Sequence, residues 1–138
     1  MSTEREVSYG GVVVRGDEVM VIVPRGRRRV LGLPKGGAMA GESPEQTAAR
    51  EVREETGITA TVRDRLGQVD YSYRRGGRRI EKTVHFFLCQ FVAGDTADHD
   101  HEVDDARWMP LRDAVRRLSY PGERAMIERA LSLLAPNG

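Results

Sequence analysis

The hydrophobic positions along the chain fall into blocks with two different periods. Val7 to Val14 is a β-type run whose apolar end is Val12, Val13 and Val14. Gly16-Asp17 supplies a turn, and Val19 to Val23 is a second β-branched run ended by Pro24, so the pair predicts a hairpin. Arg25 to Arg29 is a basic loop. Leu31 to Pro34 resumes an extended path, because a residue preceding proline is pushed away from the helical region. Gly36, Gly37 and Gly41 mark an irregular loop. The period then changes. Ser43 is a good N-cap, Pro44 occupies the first helical position, Gln46 completes a capping box, and Ala48, Ala49 and Val52 form an apolar stripe that Gly57 ends.

Beyond Gly57 the pattern returns to strands. Thr59 to Tyr73 reads as one or two strands, Arg74 to Arg78 as a hairpin turn around Gly76-Gly77, and Lys82 to Val92 as a strong strand. Ala93 to Asp105 reads as a loop rich in Asp and His, and Trp108 closes a short strand. Leu111 to Leu118 and Pro121 to Leu134 read as two final helices. This order predicts one α/β (α+β) domain over residues 1–138, a mixed β-sheet sandwiched between α-helices.

Composition narrows the class. The 138 residues are 39% hydrophobic and 31% charged, with 22 basic and 21 acidic residues and a net charge of +1. That balance excludes an acidic disordered tail and a generic nucleic-acid coat. No run of 18 apolar residues exists and the first eleven residues carry no apolar signal core, so the expectation is a cytoplasmic protein with no membrane partner. Cys89 is the sole cysteine, which excludes an intrachain disulfide or a cysteine-based zinc site. Only Lys35 and Lys82 among the 22 basic residues are lysine.

The candidate chemistry lies on the first helix. Glu51, Glu54 and Glu55 stand at i, i+3 and i+4 and share one face. Like charges so spaced destabilise a helix by a few tenths of a kcal/mol. A hard cation between them relieves the repulsion, and Mg²⁺ prefers such oxygen ligands and commonly shares its shell with substrate phosphates.

Their surroundings are more specific. Gly36, five residues, Glu42, seven residues, Arg50-Glu51-Val52, one residue, Glu54-Glu55, one residue, Gly57-Ile58 together form the full Nudix box. With ordinary residue usage, the chance of nine such positions matching is on the order of 10⁻⁸. The chain therefore resembles the Nudix (MutT-like) hydrolase family, and the likeness extends more weakly to Lys82-Thr83-Val84-His85-Phe86-Phe87, Trp108-Met109-Pro110-Leu111 and the last helices.

The resemblance implies the Nudix fold and a Mg²⁺-dependent pyrophosphohydrolase, with Mn²⁺ as a substitute. Water would attack phosphorus in a nucleoside diphosphate derivative. It implies metal ligation by Glu51, Glu54 and Glu55 with the Gly36 carbonyl, water activation by Glu54 or Glu55, and an ion pair of Glu42 with Arg50. Some members recruit a carboxylate from a later loop, and Glu102 is the candidate here. Met39 stands where many members carry a glutamate.

Leu33-Pro34-Lys35-Gly36 resembles the corresponding tetrapeptide of the diadenosine polyphosphate and diphosphoinositol polyphosphate hydrolase branches. Lys35, Lys82 and Arg29 are candidate phosphate contacts, and Tyr71 and Tyr73 candidate stacking platforms for a base. The absence of proline between Pro44 and Pro110 counts against the ADP-ribose branch. The expected substrate is a small molecule, a diadenosine polyphosphate or related polyphosphorylated nucleotide, with no nucleic-acid polymer as partner. The alternatives are a nucleotide-pool sanitising triphosphatase of the 8-oxo-dGTP type, a diphosphoinositol polyphosphate hydrolase and a non-catalytic nucleotide-sensing module. A monomer and a homodimer are equally compatible with the sequence.

Overall fold

A computed structural model describes residues 3–135. Strand β1 (Thr3–Arg15) turns at Gly16-Asp17 into β2 (Glu18–Pro24), and Val14 pairs with Val19 in the expected antiparallel hairpin. A two-residue strand, β3 (Lys35–Gly36), precedes helix α1 (Pro44–Thr56). The segment expected as one or two strands is a single β4 (Ile58–Arg75), interrupted by bulges rather than broken. It pairs with β5 (Arg78–Gly94) through a two-residue turn in which Gly76 and Gly77 have φ of 57° and 78°. Two successive positive φ angles suit the right-handed twist of the strands, and glycine adopts them without a Cβ penalty. The acidic loop holds one short 3₁₀ turn (Thr96–Asp98) and gives way to β6 (Val103–Pro110) earlier than the sequence pattern implied. Helices α2 (Leu111–Arg117) and α3 (Pro121–Leu134) complete the chain.

The sheet order is β4-β5-β1-β2-β6, with β3 paired to β1. Only β1 and β5 run parallel, along Thr3↔Arg79 to Val14↔Gln90, so the sheet is mixed. Alternation along the strands sorts the core into two faces. Val12, Val14, Val19 and Val21 pack with Leu111 of α2, Leu118 just beyond it, and Met126 and Ile127 of α3. Val13, Met20 and Ile22 pack with Ala48 and Val52 of α1. Full burial of one such side chain contributes about 1.5–3 kcal/mol, so each helix is held by its own apolar stripe. Among the described residues no helix is long and apolar enough to cross a membrane.

The sheet outruns its helices. The first half of β1 and the tip of the β4–β5 hairpin form a three-stranded wing, on which Val7 and Tyr71 are exposed.

Candidate metal centre

Helix α1 begins as its sequence dictates. Ser43 Oγ accepts from the Gln46 N–H at 3.1 Å, and Gln46 Oε1 accepts from the Ser43 N–H at 2.9 Å. Gly57 closes it at φ 76°, donating its N–H to the Arg53 carbonyl at 2.8 Å. The loop between β3 and α1 is tied to the helix by Glu42 and Arg50. Arg50 grips Glu42 through Nε at 2.7 Å and Nη2 at 3.0 Å, and donates to the Gly37 carbonyl at 2.7 Å. Glu42 also accepts from the Met39 N–H at 2.8 Å and the Thr47 hydroxyl at 3.1 Å. These donors, Arg50 foremost, hold its carboxyl at about 2. The backbone of Met39 supplies the contact, while its side chain is exposed.

The three helix carboxylates share a face but have different partners. Glu55 is largely buried, and its Oε1 accepts the Lys35 N–H at 3.0 Å. Burial pushes its pKa up to about 8, with the charges of Glu51 and Asp100 adding to the rise. Glu51 lies against Gly36, where any Cβ would overlap its carboxylate. Burial, with the charge of Glu54, raises its pKa too. Arg50 Nη1 bridges Glu51 at 2.6 Å and Glu54 at 2.8 Å. Glu54 is the most exposed of the three.

The donor set is all oxygen, which suits Mg²⁺ or Mn²⁺. Two part-buried carboxylates with raised pKa values mark a place where added positive charge is favoured. Among the described residues no three acidic or histidine side chains already stand in ligating positions. The guanidinium of Arg50 spans Glu51 and Glu54, so a cation there requires Arg50 to release those two carboxylates. Its bidentate grip on Glu42 is independent of them.

The later-loop candidate, Glu102, is exposed, and among the described residues its carboxylate bonds to none of the three. Its carbonyl accepts from the Arg25 N–H at 3.1 Å and its N–H donates to Asp100 Oδ1 at 3.0 Å. Asp100 of the same loop is bonded to the helix: its N–H donates to the Glu54 carbonyl at 2.8 Å and its charge acts on Glu55. His99 bonds the Asp100 carbonyl at 2.7 Å, and His101 is exposed.

The proposed phosphate and base contacts are distributed. Lys35 points across the sheet from Glu55, and its Nζ lies 3.3 Å from Glu123 Oε2. Burial works against this ammonium, but Glu123, Tyr71 and Glu55 outweigh it and hold its pKa above the ordinary lysine value. Lys82 and Tyr73 both converge on Glu6, at 3.6 Å and 2.7 Å. Tyr71 is 44% exposed beside Tyr73, their ring centres 6.2 Å apart, which leaves it the freer ring. A cleft of about 350 Å³ opens on the wing here, lined in part by Arg5, Val7, Asp70, Tyr71 and Lys82. Arg29 is exposed on the β2–β3 connection. Cys89 and His85 pack: Cys89 is fully buried, and His85 stacks on Tyr9 with ring centres 5.4 Å apart.

Sequence reasoning missed Glu123 and Asp100. Glu123 is one of two acids in α3, and its only sequence signal is its place in the first turn after Pro121.

Comparison with known proteins agrees with this geometry. The chain is 42% identical over 143 aligned positions to a putative mutator protein MutT4 of Mycobacterium tuberculosis, covering 97% of this chain and 58% of that protein. It is 36% identical to an 8-oxo-(d)GTP phosphatase of Mycolicibacterium smegmatis, covering 88% of this chain and 36% of that protein. The chain thus spans little more than half, or less, of these relatives' lengths. Among solved structures, a Caenorhabditis elegans Ap4A hydrolase binary complex has a TM-score of 0.74 at 24% identity, covering 94% of this chain and 97% of that one. A NUDIX hydrolase from Nitrosomonas europaea has a TM-score of 0.75 at 23% identity, covering 97% and 98%; both likenesses concern the fold. The NUDIX domain model matches residues 4–130, nearly the whole chain, and the chain therefore belongs to the NUDIX domain family.

Proposed function

We propose that the protein is a divalent-metal-dependent pyrophosphohydrolase of nucleoside polyphosphates. The observation that carries this reading is the convergence of three carboxylates on one helix face, with part-buried Glu51 and Glu55 held against the backbone of Gly36 and Lys35. Glu51, Glu54 and Glu55 would hold Mg²⁺ or Mn²⁺. The metal would neutralise phosphate charge and lower the pKa of a water. Glu54 is exposed enough to meet an incoming water, and Glu55, sharing a proton near neutral pH, is suited to exchange one.

For the substrate, a nucleoside triphosphate of the oxidised-purine type is preferred to a diadenosine polyphosphate. Lys35 and Tyr73, on which the longer polyphosphate reading leaned, are engaged by Glu123 and Glu6. The similarity to a mutator protein and an 8-oxo-(d)GTP phosphatase supports the same choice. Exposed Tyr71 favours the diadenosine compound as the second reading, since its ring is free to stack.

The test is turnover with Mg²⁺ on 8-oxo-dGTP, dGTP, diadenosine tetraphosphate and ADP-ribose, with the products identified. Release of pyrophosphate from 8-oxo-dGTP in preference to the others is the expected result. Selective production of ATP from diadenosine tetraphosphate would reverse the order of the two readings. Nucleotide binding with no turnover of any of them would replace both with a sensing module.

A further inference from the structure

Glu123 stands outside the box, in the first turn of α3, yet it is only 4% exposed and faces the segment that leads into the box. One oxygen accepts the Leu33 N–H at 3.0 Å, and the other lies 3.3 Å from Lys35 Nζ. A Cβ on Gly32 would sit 3.3 Å from the same carboxylate. Three of the four residues from Gly32 to Lys35 are thus gauged against one side chain. The segment's other backbone ties are few: the Gly11 N–H to the Pro34 carbonyl at 3.2 Å, the Ile22–Gly32 bridge and the two β3 pairings.

Immediately downstream lie both backbone surfaces that meet the carboxylates of α1, the Lys35 N–H on Glu55 and Gly36 against Glu51. A buried carboxylate costs free energy unless its hydrogen bonds are made. Apolar packing alone would dock α3, as Met126 and Ile127 already do. What a carboxylate adds is direction, because it fixes the peptide plane at Leu33 and the course of Lys35.

We propose that Glu123 is a positioning residue for the metal centre, setting the backbone of Leu33 to Lys35 so that Lys35 and Gly36 meet Glu55 and Glu51 in register. The inference rests on the metal-dependent reading above.

Its test is the affinity for Mn²⁺ alone, measured by calorimetry on the whole chain well below each variant's melting temperature. Loss of a group that orients ligands typically weakens metal binding about 10–100-fold, and that is the loss expected for Glu123→Ala. Glu123→Gln keeps an acceptor for the Leu33 N–H and should recover most of it. Met126→Ala, buried on the same helix, should lower the melting temperature and leave Mn²⁺ affinity at the wild-type value. Wild-type affinity in Glu123→Ala, or an equal loss in Met126→Ala, would overturn the proposal and make Glu123 a packing residue. Failure of the wild-type chain to bind Mn²⁺ would instead remove the metal reading, and this inference with it. A Mg²⁺ titration of the wild-type chain, followed by amide NMR, requires no variant. The Leu33 and Lys35 resonances should shift together with Gly36, and a silent Leu33 beside a moving Gly36 would also sink the idea.

Discussion

Carboxylates are held in opposite ways on the wing of the sheet and around helix α1. On the wing, Glu6 is met by the Tyr73 hydroxyl at 2.7 Å, Arg75 at 2.6 Å and Lys82 at 3.6 Å. Tyr73 first, then Arg75, hold its pKa at about 2. Glu4 is paired with Arg78 and Arg75. At α1, a single guanidinium serves Glu42, Glu51 and Glu54, while Glu55 has a backbone N–H and little water, and its pKa is pushed up to about 8. The wing carboxylates have the positive charge they need from the chain itself. Those on α1 do not, and they are where an external cation has most to offer. Charge count alone would not separate the two regions; burial and partner supply do.

The comparison can be broken most sharply at Glu55. Glu55→Gln should lower the catalytic rate by about 10²–10⁴-fold if the group is a base or a ligand; a variant with the wild-type rate in Mg²⁺-dependent turnover would remove Glu55 from the chemistry. Gly36→Ala comes next. Its methyl group would take the place of the Glu51 carboxylate, so Mn²⁺ affinity measured by calorimetry should fall about 10–100-fold, in the range seen when ligand support is lost.

pH should act on the two regions in opposite windows. Between the ordinary carboxylate value of 4.5 and about 8, folded Glu55 keeps a proton that the unfolded chain has released. Its contribution to metal-free stability therefore falls as pH rises through that range and is flat above it. Metal binding must expel that proton, so Mn²⁺ affinity should rise over the same interval. Glu6 works the other way: its contribution is complete above 4.5 and is lost as pH falls toward about 2. Urea unfolding of the metal-free chain across pH, repeated with Glu55→Gln and Glu6→Gln, would resolve the two slopes. An unchanged neutral-pH slope in Glu55→Gln would contradict the assignment. The smallest effect is expected from Glu6→Gln on turnover, within about twofold, since partly exposed ion pairs contribute little. A larger loss in kcat/KM would show that the wing takes part in substrate handling.

Most of the fold was legible residue by residue. The capping box at Ser43 and Gln46, the left-handed Gly57 and the paired glycines of the β4–β5 turn each act over four residues or fewer, and each stands where its local chemistry puts it. The length of β4 was less legible, because its bulges interrupt the alternation that marks a strand. The placement of Glu51, Glu54 and Glu55 on one helix face followed from spacing alone. That the acidic loop is tied to α1 through the Asp100 N–H and the Glu54 carbonyl did not follow from it.

By itself, then, the sequence determined the elements, the helix bearing the acidic face and the family, since these depend on neighbours within a turn or on a motif of 23 residues. The tertiary structure alone decided that Glu123 reaches Leu33 and Lys35 across 90 and 88 residues, that Tyr73 meets Glu6 across 67, and that β1 and β5 run parallel. No local pattern encodes such contacts, because a buried ion pair or a parallel register forms only once separate apolar faces have packed and carried their polar residues together.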